Sequence, residues 1–173
     1  MTDNKTMRKE VNSILVDNQA NVLTRVSSLF GRRGFNIDSL TVSTTNDPNL
    51  SRITIVFRGT EQALHQILTQ TAKLEVVKKI APLDKRNSIY RELLLIKLRA
   101  DKTERSAIRE IVEIYRGKID DLSRSSMIVE LTGNSEKIDG FMDIISCYDI
   151  LEVCRTGVTG ISRVDEALSD SID

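Results

Sequence analysis

The stretch VNSILVDNQANVLTRVSSLFGRRGFNIDSLTVST, residues 11–44, changes its apolar period twice. Val11 to Val16 reads as a strand. After a polar break, Asp17 to Asn21, the residues Val22, Leu23, Val26, Leu29 and Phe30 recur at helical spacing and mark one face of an amphipathic helix. Gly34 stands where a helix C-terminal glycine belongs, and Phe35 to Thr44 alternates as a second strand. Working outward, the turn Asn46-Asp-Pro-Asn49 leads into a third strand, Leu50 to Phe57, a hairpin signal. Thr60 is a plausible N-cap for a second helix with Ala63, Leu64, Ile67, Leu68 and Leu74 on its face. Val76 to Leu83 closes the unit as a fourth strand, with Pro82 at its end, where a lost amide hydrogen costs least.

The same order then begins again: strand Glu92–Arg99, helix Thr103–Arg116, strands Lys118–Ser123 and Met127–Gly133, helix Ser135–Ile145 and strand Ile150–Val158. Two local echoes accompany it. Gly34 before Ile37-Asp38 resembles Gly117 before Ile119-Asp120, and Leu74-Glu-Val-Val77 resembles Leu151-Glu-Val-Cys154. A βαββαβ order with right-handed crossovers gives an antiparallel sheet covered by two helices on one face. The expected fold is therefore α+β, two tandem ferredoxin-like units: 1–83, a linker at 84–90, a second unit over 91–160 and a flexible tail from 161 to 173. Each sheet keeps one face bare of helices; apolar residues on both alternations of the strands predict that this face packs on the sister unit or on a second chain, and hence a homodimer.

The 173 residues carry 25 acidic and 25 basic side chains, so no net field draws the chain to nucleic acid or an anionic membrane. The first ten residues lack the apolar core of a secretory signal and no apolar run is long enough to span a bilayer, which predicts a cytoplasmic protein. Cys147 and Cys154 lie in apolar surroundings with no CxxC, and are expected to be buried thiols. The single histidine, His65, sits among polar helix residues and is expected to face solvent. No metal site is expected.

Enzymatic chemistry finds little support. One histidine, no paired carboxylates in an apolar setting and no glycine-rich phosphate loop leave no nucleophile–base–orienter set, which also weighs against a small ferredoxin-like hydrolase. Arg32 and Arg33 read as cations complementing a helix C-terminus. An RNA-recognition module needs stacking aromatics on its central strands, and the third strand here reads Ser-Arg-Ile-Thr-Ile-Val-Phe over 51–57. Binding is the better prospect. The leading amides of the first helix have no intrahelical partner and carry partial positive charge, so the loop from Asn18 to Leu23 is suited to a carboxylate. Asn36, at the start of the adjacent strand and expected close to that loop, is either a holder of an ammonium or carboxylate group or simply a turn-former leaving the helix.

Ser13-Ile-Leu-Val16, Leu23-Thr-Arg-Val26, Arg33-Gly-Phe-Asn-Ile-Asp-Ser-Leu-Thr-Val42 and Asp47-Pro-Asn-Leu-Ser-Arg52 resemble the N-terminal ACT domain of acetolactate synthase small subunits. Arg91-Glu-Leu-Leu-Leu-Ile-Lys97, Ile114-Tyr-Arg-Gly-Lys-Ile119 and Arg155-Thr-Gly-Val158 extend the resemblance over nearly the whole chain. It implies a dimeric, non-catalytic regulatory subunit that binds valine or another branched-chain amino acid between ACT domains of neighbouring chains. It also implies docking on a catalytic large subunit that holds thiamine diphosphate, magnesium and FAD and condenses pyruvate with pyruvate or 2-oxobutanoate. The effector-contacting positions so implied are Asn18, Ala20, Asn21, Val22, Leu23, Asn36 and Ile37. An ACT sensor serving a different enzyme or regulator is the alternative.

One departure matters. The family's loop reads Asn-x-x-Gly, and here it is Asn18-Gln-Ala-Asn21. Asparagine tolerates the left-handed backbone that glycine favours, but it is also a good N-cap. A side chain capping Leu23 or Thr24 would occupy the amides a carboxylate needs, which predicts a weakened valine response.

Overall fold

Alternation and helical period place thirteen elements along the chain in a computed structural model that describes residues 7–163 and Leu168. They are β1 (Arg8–Asp17), α1 (Val22–Arg32), β2 (Ile37–Thr44), β3 (Leu50–Gly59), α2 (Glu61–Thr71), β4 (Val77–Pro82), β5 (Ser88–Arg99), α3 (Arg105–Ile114), β6 (Lys118–Leu122), β7 (Ser126–Gly133), α4 (Ser135–Ile145), β8 (Ile150–Arg155) and β9 (Thr159–Ser162). The fold is α+β, with two ferredoxin-like βαββαβ units. Their sheets run β2-β3-β1-β4 and β6-β7-β5-β8, with antiparallel neighbours in both.

Even-numbered β1 residues and odd-numbered β3 residues face the helices of the first unit. Ile14, Val16, Ile53, Ile55 and Phe57 pack there against Val22, Val26 and Phe30 of α1 and Leu64 and Ile67 of α2. Phe30, Phe35 and Phe57 meet edge to face, with ring centroids 4.9 to 6.2 Å apart, the geometry the ring quadrupole favours. They fix α1 and the start of β2 on the sheet. The second unit repeats the scheme with Leu94, Ile96, Leu98, Val129 and Leu131 under Ile108, Val112, Ile138, Phe141 and Ile145.

The repeat extends to irregularities. β2 slips register against β3 between Ile37 and Ser39, and β6 slips against β7 between Ile119 and Asp121. The echo around Asp38 and Asp120 is therefore a shared bulge, which re-aims the edge strand of each sheet. The other echo is coincidental. Val77 opens β4 opposite Val16, and the residue opening β8, opposite Leu98, is Ile150, so Leu74–Val77 and Leu151–Cys154 do not correspond.

Several boundaries differ from the sequence reading. β5 begins at Ser88, so residues 88–90 of the expected linker are strand. The last expected strand ends at Arg155, and a separate β9 forms over 159–162 and pairs with β5, taking residues 161 and 162 out of the expected tail. Gly157 and the polar residues around it mask this break in a periodicity scan. The rest of the tail lies outside the described residues, Leu168 apart. α3 starts at Arg105 because the Asp101 carboxylate holds residues 101–104 in a turn, accepting from the amides of Thr103 (2.7 Å) and Glu104 (3.0 Å). The chain divides into one unit ending at Ile89 and resuming at Val158, and a second from Tyr90 to Gly157.

That resumption bears on the helix-free face of the first sheet, where Ser13, Leu15, Thr54 and Val56 are all buried. Val158 donates its amide to the Ser39 hydroxyl (3.3 Å) and accepts from the Thr41 hydroxyl (3.0 Å). Ser39 and Thr41 pair with Val56 and Thr54, so the returning segment lies over this face at β2. The chain itself supplies part of the cover expected from elsewhere. Both cysteines are exposed, contrary to expectation. Cys154 lies on edge strand β8 opposite Leu95, on the face no helix covers, and Cys147 follows the end of α4.

Asn12 is the anomaly of the first core. It is fully buried on the helix side of central strand β1, opposite Ile55, and neither side-chain amide atom has a hydrogen-bond partner. A buried unsatisfied amide costs about 1–3 kcal/mol. Asn12→Leu is expected to raise the free energy of unfolding by about 1–2 kcal/mol, read from urea denaturation midpoints; a fall would show that the amide is satisfied in solution.

Candidate functional site

The loop between β1 and α1 is held in place by Asn18. Its backbone N–H donates to Asn49 O (2.7 Å), its side-chain amide donates to Pro48 O (2.9 Å), and its Oδ1 accepts from the Ser51 hydroxyl (3.1 Å). These bonds tie the loop to the β2–β3 turn, which Asp47 closes by accepting the Asn49 amide on Oδ1 (2.8 Å). Asn18 thus spends its side chain on positioning. At the base of the loop, Asp17 pairs with Lys78 (2.9 Å), which neutralises the carboxylate next to the helix start.

Asn21 then turns the chain with φ 66° and ψ 3°, the left-handed region, and its side chain makes no capping bond. The expectation that it would cap Leu23 or Thr24 is therefore wrong: an N-cap side chain reaches the following amides from extended backbone, and Asn21 is not extended. The first intrahelical bond runs from Arg25 N–H to Asn21 O (3.0 Å), and among the described residues the amides of Val22, Leu23 and Thr24 have no acceptor. No acidic residue stands in the first turn of α1. The positive end of the helix dipole is left uncompensated.

The helices α2 and α4 are closed. Thr60 accepts from Ala63 N–H and Asn134 from Lys137 N–H, with Glu61 and Glu136 in the respective first turns. In the second unit, the helix corresponding to α1 is α3. There Glu104 makes no side-chain cap bond and no acid stands in the first turn; Asp101 instead accepts from the amides of Thr103 and Glu104 in the turn ahead of the helix, and its bonds, first that of the Thr103 hydroxyl, hold its pKa below the ordinary carboxylate value. The repeat thus carries two first helices without side-chain caps, α3 preceded by a turn that Asp101 closes and α1 by the left-handed Asn21.

The remaining expected residues divide. Ala20 and Asn21 are exposed, and Leu23 is 43% exposed beside the open amides. Val22 turns its side chain into the core and offers only its backbone. Ile37 packs against the same core. Asn36 is exposed, but it is not near the loop, contrary to the sequence reading. Ile37 pairs with Phe57, whereas the loop sits beside Asn49, and at about 3.3 Å per residue the run from Leu50 to Phe57 separates them by about 23 Å. The reason is topological: α1 carries the chain back along the sheet, so β2 starts at the end opposite the loop. A shallow groove of about 260 Å³ lined by Arg33, His65, Gln66, Thr69 and Gln70 lies at the far end of α1, and His65 faces solvent there as expected.

Among the described residues no three His, Cys, Asp or Glu side chains gather as a metal cluster, and no helix is long and apolar enough to cross a membrane. Residues 13–79 match the model of the AHAS small subunit-like ACT domain, and residues 91–164 match that of the small subunit of acetolactate synthase. The chain belongs to the acetolactate synthase small-subunit family. It is 45% identical to the acetolactate synthase small subunit of Mycolicibacterium smegmatis over 87% of this chain and 89% of that protein. With the isozyme 3 small subunit of Escherichia coli it shares 40% identity over 92% of this chain and 99% of the relative. The crystal structure of the small subunit from Thermotoga maritima superposes with a TM-score of 0.85 at 39% identity, over 92% of this chain and 99% of that one. Membership of the small-subunit family implies a catalytic large subunit as partner.

Asn21 offers a direct check on this loop. Asn21→Ala keeps a Cβ in the left-handed region and loses the local polar group that makes asparagine tolerant there. It is expected to destabilise the protein by about 1 kcal/mol, whereas Asn21→Gly leaves stability equal or slightly higher. Asn18→Ala, losing two side-chain bonds, is expected to cost about 1–2 kcal/mol. Denaturant titrations of the three variants measure all of these.

Proposed function

We propose that this chain is a non-catalytic regulatory subunit that activates the acetolactate synthase catalytic subunit and confers feedback inhibition by valine or another branched-chain amino acid. The observation that carries the effector reading is the open start of α1: a left-handed, uncapped Asn21 with three partnerless amides behind it and no acid in the first turn. An amino-acid carboxylate satisfies those amides with the same chemistry by which the Asp101 carboxylate holds the amides of Thr103 and Glu104 in the turn before α3. Asn21 does not cap, so the capping ground for a weakened valine response falls away.

The site is incomplete in one chain. Asn36 and Ile37 lie at the opposite end of the sheet from Asn18, Ala20, Asn21, Val22 and Leu23. β2 is the edge strand of its sheet, with Val42 46% exposed. A second copy, antiparallel beside the first about a two-fold axis, sets the loop of one chain against Asn36 of the other at two equivalent places. The effector then binds a homodimeric junction and favours whichever arrangement closes it; only such differential affinity shifts a conformational equilibrium. Thiamine diphosphate, magnesium and FAD belong to the large subunit in this reading, and the complex works in the cytoplasm.

Reconstitution tests the proposal. Adding this chain to its catalytic partner is expected to raise acetolactate formation, and valine is expected to lower it again. The isolated chain is expected to melt several degrees higher at valine concentrations far above Kd, with Asn36→Ala abolishing the shift but not the activation. Turnover by the isolated chain, or no response to any branched-chain amino acid, would contradict the reading.

A further inference from the structure

The chain re-enters the first unit at Val158, and the residues on both sides of Gly157 are tied down. Ahead of it, in the second unit, Arg155 donates from Nε to Glu92 (2.6 Å) and from Nη1 to Asp139 of α4 (2.7 Å). Glu92 is buried and also accepts from the Ser135 hydroxyl at the start of α4. Thr156 makes a two-way pair with Leu93 of β5: its hydroxyl accepts from the Leu93 amide (2.9 Å), and its own amide donates to Leu93 O (3.0 Å). Beyond Gly157, Val158 is buried, and two hydroxyls of β2 hold its peptide groups, Ser39 accepting from its N–H (3.3 Å) and Thr41 donating to its carbonyl (3.0 Å).

Gly157 alone lies between the two sets of anchors. A chain extends by at most about 3.6 Å per residue, so a strap this short has little slack with which to absorb a movement of either end. Ser39 and Thr41 pair with Val56 and Thr54 of β3 and follow any displacement of β2. That strand starts next to Asn36, slips register between Ile37 and Ser39, and is the edge of its sheet. The two hydroxyls therefore sit on the strand that a dimeric effector junction would draw, yet apart from the residues that would touch the effector.

We propose that Ser39 and Thr41 are positioning residues for feedback, which pass the state of the effector junction at β2 to the second unit through Val158 and the strap 155–158. The proposal rests on the effector reading of the first unit and adds the route by which that unit reports. Coupling needs an element that both sites bias. The strap is held by β2 at one end and by β5 and α4 at the other. Loss of the two hydroxyls leaves the leading amides of α1 and the side chain of Asn36 in place, so the effector still binds while the response to it fades.

Two readouts on the full chain separate binding from response: the valine-dependent rise in its melting temperature, and the valine concentration that half-inhibits acetolactate formation by its complex with the catalytic subunit. Ser39→Ala combined with Thr41→Val is expected to keep the binding midpoint within about twofold and to raise the half-inhibiting concentration roughly tenfold. Thr41→Ser, which keeps the hydroxyl, should be inhibited as the unmodified chain is. Two glycines inserted after Gly157 slacken the strap while leaving its anchoring side chains in place, at little cost in loop entropy, and should reproduce the loss of inhibition even where the double variant folds poorly. Unchanged inhibition in the insertion variant, or in a folded double variant, overturns the route while the effector reading stands. Loss of valine binding in a folded double variant also overturns it, because the hydroxyls then belong to the effector site itself. An unmodified complex that valine binds to but does not inhibit, or does not bind to at all, overturns both.

Discussion

The backbone at Asn21 is the constraint on which the functional part of this molecule depends. A residue at φ 66° directs its side chain away from the amides that follow, so α1 begins without a cap. It stays in that conformation because its surroundings determine it. Asn18 is tied on three atoms to the β2–β3 turn and Val22 is sealed in the core, so the residues between them have little freedom. Backbone donors left without partners at a helix start are costly unless something outside the helix meets them. Strain of this kind persists where the surrounding structure over-determines it, which is characteristic of binding sites.

The internal repeat gives a control within the same chain. Both units use one architecture, bulge their edge strands at equivalent aspartates, and pack two helices on one sheet face. They differ at the start of the first helix. In the second unit Asp101 closes the turn that leads into α3 with a carboxylate from the chain, and in the first the chain enters α1 through the left-handed Asn21.

Much of this was legible in the sequence. Strict alternation and 3.6-residue spacing located all four helices and the eight strands of the two repeats, Gly34 ends α1 at φ +73°, and Thr60 caps α2. The elements misread are those whose placement depends on partners distant in sequence. Cys154 looks apolar locally but lies on a face without helices, and β9 exists because it pairs with β5. Asn36 is close to the loop only if one counts residues rather than tracing α1 back across the sheet. Side-chain type alone made Asn21 a cap; its φ makes it something else, and no single-residue preference reports φ. Asn12, polar in the middle of a central strand, follows no pattern visible before the core is assembled.

Backbone amide chemical shifts of the isotopically labelled chain, followed as valine is added, test the central claim most directly. The account predicts that the amides of Val22, Leu23 and Thr24 move together with those of Asn36 and Ile37, saturating at a single concentration, because one ligand spans both ends through two chains. Shifts at neither place, or at 22–24 without 36–37, would contradict a receptor shared across a dimer junction.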